Sequence, residues 1–423
     1  MRAARALYGF LSREHWLIGA SLVRVSLGAW ALYFYLLHLP VRHALWGPSG
    51  LWPFDRFAAT TVLPSAYGLS PSPLVFDAVY LAGIIVAGLF TLGWQPRLMS
   101  VAHWWLVTSL QERNFLITDG GDNLMRLVLL FLMLVNTGAY FSVGGSRHRM
   151  SSPGLLRPAL AVAHNTGVLV IVVQLCLLYL STGLYKTMGS VWQNGTALYY
   201  ILRVQEFSQP HLAAFVYRNP GLVVLGTYGT VLFELMFPAL LAQRWTRYMV
   251  AAAGVGFHAA IAVLMGLVTF SWSMLSVYPL LFTDGEYLAV TRRLRERLRL
   301  LVLFDGWCPF CTRSIGLLRR LDPFSLVEFV SFREPGIAEW YGIDPRKAEA
   351  RIQSMGRSGR PAEGMDAMIQ IALRTAVLWP ALPLLLLGRL LFGQRLYDAL
   401  AVRRFVLMPG GCVAHCAPAR PRA

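Results

Sequence analysis

The sequence predicts a polytopic α-helical membrane bundle of about eight spans followed by a small α/β domain. Three observations carry this. The chain of 423 residues is 56% hydrophobic and only 14% charged, whereas an ordinary soluble domain has about 25% charged residues. Apolar windows of crossing length recur up to residue 283, and mean hydropathy is +0.52. Beyond residue 300 the pattern changes to short apolar runs around two closely spaced cysteines, Cys308 and Cys311.

Taken in order, the first window (16–39) is too long for the core of a signal peptide and lacks a small-residue cleavage site, so it reads as a span. Further spans are expected at 74–94, 98–117, 124–141, 159–182 and 222–242. The stretch 248–283 exceeds one helix and is expected to cross twice, hinged near Gly266. With the N-terminus in the cytoplasm, fourteen basic residues fall inside, including Arg2, Arg5, Arg147, Arg149 and the run Arg292, Arg293, Arg295, Arg297 and Arg299. Six fall outside: Arg42, Arg56, Arg113, Lys186, Arg203 and Arg218. The positive-inside rule then sets the N-terminus and the dithiol domain on the cytoplasmic side of a plasma membrane. It also accounts for the net charge of +17 without nucleic acid as a partner, and no groove-reading motif is present. The lipid bilayer is the expected partner. Residues 1–290 form the membrane domain, 291–299 a basic helical linker, 300–405 the α/β domain and 406–423 a cysteine-containing tail. The linker either lies along the anionic leaflet or is a solvated helix.

In the α/β domain, LRLLVLFD (298–305) reads as a buried strand, CTRSIGLLRRLD (311–322) as a helix closed by Pro323, and LVEFVSF (326–332) as a second strand. Strand, Cys-Pro-Phe-Cys, helix, strand is a thioredoxin-like opening. Cys308 falls at the helix N-terminus, where unpaired N–H groups and the dipole stabilise a thiolate. Cys311, one turn in, is expected to be the more buried, resolving thiol. Pro309 suits the first turn because its missing N–H has no helical partner there. A C-x-x-C is also half of a zinc site, but the flanking strand and helix favour redox chemistry, and no metal is expected. Asp305 is either a proton relay to the thiols or a turn residue before Gly306. Cys412, His415 and Cys416 read as a second redox pair, a metal site with the dithiol, or a tail with adventitious thiols.

Asp305, Gly306, Cys308, Pro309 and Cys311, with the segments at 359–368 and 395–405, resemble the DCC family of thiol-disulfide oxidoreductases over residues 300–405. No proline is evident ahead of a strand to face the dithiol; Pro361 is the nearest candidate.

Within the spans, ionisable residues mark functional or paired positions. Arg24, Asp122, Arg126, Glu234 and His258 stand out. Pro238 removes the helical partner of the Glu234 carbonyl, while Glu234 itself either orders a pocket or neutralises Arg126 or Arg24. His258 is either a structural hydrogen-bonder or a proton-handling group. Lys186, at the outer end of a span beside Trp192, is either a base in a partly desolvated rim or a snorkelling cation. The G-G-D turn at Gly120, Gly121 and Asp122 resembles the HTTM (horizontally transferred transmembrane, vitamin K-dependent γ-carboxylase-like) family over most of residues 10–285. So do Gly183, Lys186, Trp192 and Gly195, Glu234 with Phe237 and Pro238, and Phe257 with His258. The resemblance implies Lys186 as the base toward a hydroquinone, with Asp122, Arg126, Glu234 and Trp192 around the ligand. Glutamate carboxylation is not carried over, because a dithiol domain stands where the carboxylase holds its peptide.

The functional expectation is an integral membrane thiol-disulfide oxidoreductase. Cys308 is the nucleophile, Cys311 resolves, and Asp305, Lys186 and His258 handle protons. A quinone of menaquinone or vitamin K type is the candidate cofactor, and a protein or small-molecule disulfide the substrate. The alternative is a membrane-bound maturation or export accessory protein whose dithiol domain is a redox-controlled docking module.

Overall fold

Asp284, at the far end of the bundle sequence, caps the first long helix. Helix α1 (Leu17–His38) begins after Trp16, which is left-handed at φ 57° and offers no side-chain cap. The orphan N–H groups of Leu17 and Ile18 donate instead to Asp284 Oδ2 (3.0 Å) and Oδ1 (2.8 Å), a carboxylate at the positive end of the helix. This computed structural model describes residues 8–61, 64–143, 156–322, 324–356, 359 and 361–402. Arg2, Arg5, Arg147, Arg149, Pro323, Cys412, His415 and Cys416 lie outside the described residues. Two compact units emerge, Met1–Ala139 with Gly144–Asp284, and Tyr140–Val143 with Gly285–Ala423.

The first unit continues with α2 (Pro73–Leu92), α3 (Pro96–Arg113), α4 (Gly120–Leu132), α5 (Leu156–Thr187), α6 (Pro220–Leu240), α7 (Arg244–Met265) and α8 (Val268–Leu275). Val23, Leu27, Tyr80, Phe90, Leu132, Ile171 and Leu175 are among its fully buried core residues. Among the described residues, five helical segments are long and apolar enough to cross a membrane: Leu17–Trp46, Pro73–Leu92, Arg157–Thr187, Pro220–Leu240 and Arg244–Met265.

The remaining expected crossings are shorter or more polar. Helix α3, which ends at Arg113 within the expected window 98–117, buries Ser100, His103, Ser109 and Arg113. The window 124–141 is served by α4, of 13 residues. In 248–283 the break falls at Gly266, which has φ 72°. However, the helix before it is full length and the one after it has 8 residues.

Helix α9 (Asp284–Leu298) leads to the second unit with no buried residue. It extends the expected basic linker by two turns toward the N-terminus. The second unit has a four-stranded sheet in the order β2-β1-β3-β4. Strand β1 (Leu300–Phe304) is buried throughout and runs parallel to β2 (Val327–Ser331), with Val302 opposite Phe329. Strand β3 (Gln353–Met355) is antiparallel to β1, and β4 (Pro361–Glu363) antiparallel to β3. Helix α10 (Pro309–Leu321) makes the crossover from β1 to the parallel strand β2. Helices α11 (Met365–Arg374), α12 (Leu382–Phe392) and α13 (Arg395–Val402) follow. Leu300, Val302, Ile315, Val327, Phe329 and Ile371 form one core of this domain.

Candidate functional site

The dithiol sits where β1 gives way to α10. Cys308 is the N-cap at φ −82° and ψ 114°, and Pro309 opens the helix. The Cys311 N–H donates to Cys308 Sγ at 3.2 Å, and the two sulfur atoms are 2.7 Å apart. A backbone donor and the helix N-terminus thus both favour negative charge on Cys308. Gly306 makes the loop possible, because a Cβ there would lie 2.4 Å from Ser331 Oγ at the end of β2.

The burial order of the two thiols is the reverse of the expected one. Cys308 is 1% exposed and Cys311 is only partly buried. As the N-cap, Cys308 folds its side chain back over the first turn, whereas Cys311 faces a cavity of about 300 Å³. Phe304, Phe310, Ile315, Ile352, Met368 and Leu385 line that cavity beside Cys311.

Asp305 accepts from the Trp307 N–H at 3.1 Å, which shapes the turn. Its two carboxylate oxygens also accept from Arg333, at 3.0 Å and 3.3 Å. The Arg333 guanidinium stacks 4.4 Å over the Trp307 ring and also donates to Glu349. Asp305 therefore anchors the loop that presents Cys308. Pro361 opens β4 at the sheet edge, where a missing N–H is tolerated. The residue ahead of β3 that lines the dithiol cavity is Ile352, whose N–H donates to the Tyr397 hydroxyl at 3.1 Å.

In the bundle, Gly183 and Lys186 of α5, Glu234 of α6 and Trp192, just beyond α5, come together in one cluster. Lys186 Nζ donates to both oxygens of Glu234, at 2.8 Å and 2.7 Å, and lies 5.2 Å from the Trp192 ring. The Glu234 side chain is 6% exposed and that of Lys186 22%. The expected neutralisation of Glu234 by Arg126 or Arg24 is thereby corrected. Arg126 pairs with Glu112, and the Arg24 guanidinium donates to the carbonyls of Thr137, Phe90 and Thr91. Gly183 allows the close approach of the two helices, since a Cβ there would be 3.0 Å from Leu235 Cδ2 and 3.1 Å from Glu234 Cβ. Lys186 is held near the C-terminal end of α5 as one half of an ion pair with Glu234.

One and two turns back along α5, Thr182 and Tyr179 continue the polar face. The Tyr179 hydroxyl is 2.7 Å from His258 Nε2 and 2.8 Å from the Tyr278 hydroxyl. All three residues are buried. Among the described residues His258 Nδ1 has no hydrogen-bond partner. Tyr278 approaches because residue 254 is glycine; a Cβ there would be 2.0 Å from its hydroxyl. Sequence reasoning missed Tyr179, Thr182, Gly254 and Tyr278. The helical spacing of Tyr179, Thr182 and Lys186 was the available signal.

Asp122 and Arg126 have partners of their own. Asp119 and Asp122 form a capping box at the start of α4, Gln111 donates to Asp122, and Arg126 pairs with Glu112. Phe270 stands between the two sets, with its ring 5.8 Å from that of His258 and its Cα 3.1 Å from a Cβ placed on Gly121. Beside the Lys186 cluster, Phe233 and Phe257 form part of an apolar groove of about 340 Å³ between α6 and α7. Phe233 also packs edge-on against Tyr179.

A bundle of apolar helices of membrane-crossing length with a lysine–glutamate ion pair between two of them, joined to a sheet domain with a helix-capping dithiol, defines the class. The HTTM domain family matches residues 67–285, half of the chain, and the chain belongs to that family. The DCC1-like thiol-disulfide oxidoreductase family matches residues 302–409, so the protein joins a membrane domain to a thiol-disulfide oxidoreductase domain. The chain is 29% identical over 207 residues to the uncharacterized protein YitO of Bacillus subtilis (strain 168), covering 47% of this chain and 65% of that one. It is 23% identical over 206 residues to the sporulation-delaying protein SdpB of the same organism, covering 48% and 62% respectively. The match thus spans less than two thirds of either relative. No solved structure matches.

Proposed function

We propose that the chain is an integral membrane thiol-disulfide oxidoreductase whose Cys308 and Cys311 pass electrons to a quinone of menaquinone or vitamin K type bound by the bundle. The observation that carries the reading is the pair of sulfur atoms 2.7 Å apart at the start of α10, with Cys308 Sγ accepting the Cys311 N–H. Closing the Sγ–Sγ bond releases two electrons and two protons from the dithiol, which a quinone held by the bundle would accept. A substrate dithiol then returns the pair to the reduced state through a mixed disulfide at Cys311, the thiol that faces the cavity, with Cys308 leaving as the thiolate that its N-cap position favours. In the bundle, the Lys186–Glu234 pair and the His258–Tyr179–Tyr278 chain supply donors and acceptors for the quinone oxygens, beside the groove walled by Phe233 and Phe257. The distribution of arginines favours a plasma membrane with the dithiol domain on the cytoplasmic side.

The test uses pre-reduced full-length protein in nanodiscs with menaquinone under anaerobic conditions, following quinone absorbance. Wild type is expected to reduce the quinone and Cys308→Ser to leave it oxidised. Lys186→Ala is expected to lose quinone reduction while still reducing a model disulfide. If wild type leaves quinone untouched while its dithiol reduces the model disulfide, the quinone link is overturned and the docking-module reading replaces it.

A further inference from the structure

Helix α12 reads LPLLLLGRLLF and stands on the surface of the second unit. Leu384 is 71% exposed and Leu390 81%, and Leu386, Leu387, Leu391 and Phe392 are each exposed by half or more. Its single charged residue, Arg389, is held by Asp366 of α11, with Nε 2.7 Å from Oδ1. An apolar patch of this density on a domain surface marks an interaction site.

Three observations identify what covers it. With 11 residues, α12 is too short to cross a bilayer, which takes about 20 residues. It is, however, long enough to lie in the interface, and Trp379, 57% exposed, stands at its entry as interfacial tryptophans do. Among the described residues the same chain has five segments of membrane-crossing length, and a single residue, Arg299, separates α9 from β1. The tether is thus one helix about 22 Å long.

Charge adds the third observation. Helix α9 carries Arg292, Arg293, Arg295 and Arg297 against Glu286, Glu296 and Asp284, whose carboxylate caps α1, with Leu288, Val290, Leu294 and Leu298 exposed beside them. The sequence after residue 402 adds Arg403, Arg404, Arg420 and Arg422 and no acidic residue. Such segments complement an anionic leaflet.

We propose that the leucine face of α12 is a monotopic insertion face, seated at the headgroup–acyl boundary of an anionic leaflet. Leu385, on the inward side of the same helix, lines the cavity beside Cys311, so seating α12 sets that cavity at the lipid interface. The surface stands independently of the redox reading.

The experiment incorporates the photocrosslinker p-benzoyl-phenylalanine at position 390 of the full chain, one copy per phosphatidylglycerol-rich nanodisc, and reads the intact mass after illumination. A mass increase of one lipid at position 390, and none with the crosslinker at exposed Lys347, is expected. A crosslink to a peptide of the bundle, to a second copy of the chain, equal lipid adducts at both positions, or no adduct overturns the proposal. Leu384→Glu with Leu387→Glu lowers the adduct at least about tenfold while circular dichroism is unchanged; an unaltered yield overturns it. Equal yield in discs of phosphatidylcholine alone overturns the anionic assignment.

Discussion

Replacing Lys186 by methionine keeps most of the side-chain length and removes its charge. Glu234, with a side chain 6% exposed, is then left without its ammonium. Breaking a buried ion pair from one side costs about 3–5 kcal/mol, because the remaining charge is desolvated and uncompensated. The lower end applies here, since Lys186 keeps 22% of its side chain exposed and the pair is not fully enclosed. Lost contact with the Trp192 ring adds about 0.5 kcal/mol. We expect Lys186→Met to destabilise the bundle by about 3 kcal/mol. The double variant Lys186→Met/Glu234→Leu, which removes both charges and fills the space with carbon, is expected to cost about 1 kcal/mol or less. The coupling between the two sites is then about 2 kcal/mol or more. Reversible unfolding in mixed micelles by sodium dodecyl sulfate, followed by circular dichroism, measures all corners of the cycle. Additive effects of the single variants, or a cost of Lys186→Met below about 1 kcal/mol, would refute the assignment of a desolvated, coupled pair.

Gly254→Ala places a methyl group 2.0 Å from the Tyr278 hydroxyl, and overpacking of that kind costs about 1–3 kcal/mol; the same unfolding assay should show the loss, and Tyr278→Phe in the same chain should restore part of it. In the second unit Arg351 grips Asp398 with two hydrogen bonds of 2.7 Å and donates to Glu363 at 2.8 Å. Its guanidinium holds the Asp398 carboxyl below the usual carboxylate range. A carboxyl lowered in the folded state stabilises above its unfolded value of about 4 and loses that contribution as pH falls through the folded value. Asp398→Asn should therefore reduce hydrogen-exchange protection of β3 near about pH 7, with the difference from wild type gone by about pH 2; a difference that persists in acid would contradict the linkage.

Elements whose signal is local were legible in the sequence. The strand, dithiol, helix and second strand fall within two residues of their expected bounds, because alternation, an N-cap cysteine and Pro309 are all written into one short stretch. Helices α1, α2, α5, α6 and α7 were legible for the same reason, since each is a continuous apolar run. Helix α3 was harder to read. Hydropathy windows do not distinguish a lipid-facing helix from one that buries His103, Ser109 and Arg113 against protein.

Long-range pairing was the least legible. Glu234 had several basic candidates in the sequence, and only the packing of α5 on α6 at Gly183 selects Lys186, 48 residues away. The arginines it might have taken are satisfied elsewhere, by Glu112 and by backbone carbonyls. The thiols teach the same point at closer range. Spacing alone makes Cys311 the inner residue of a helix, yet the N-cap rotation covers Cys308, and a cavity between α10, α11 and α12 uncovers Cys311. Three of that cavity's walls, Met368, Leu385 and Tyr397, come from helices more than fifty residues beyond the dithiol, where the sequence shows only apolar positions. Which thiol meets an incoming group is therefore decided by the distant helices, and the face of α12 that turns away from the cavity is the one free to meet lipid.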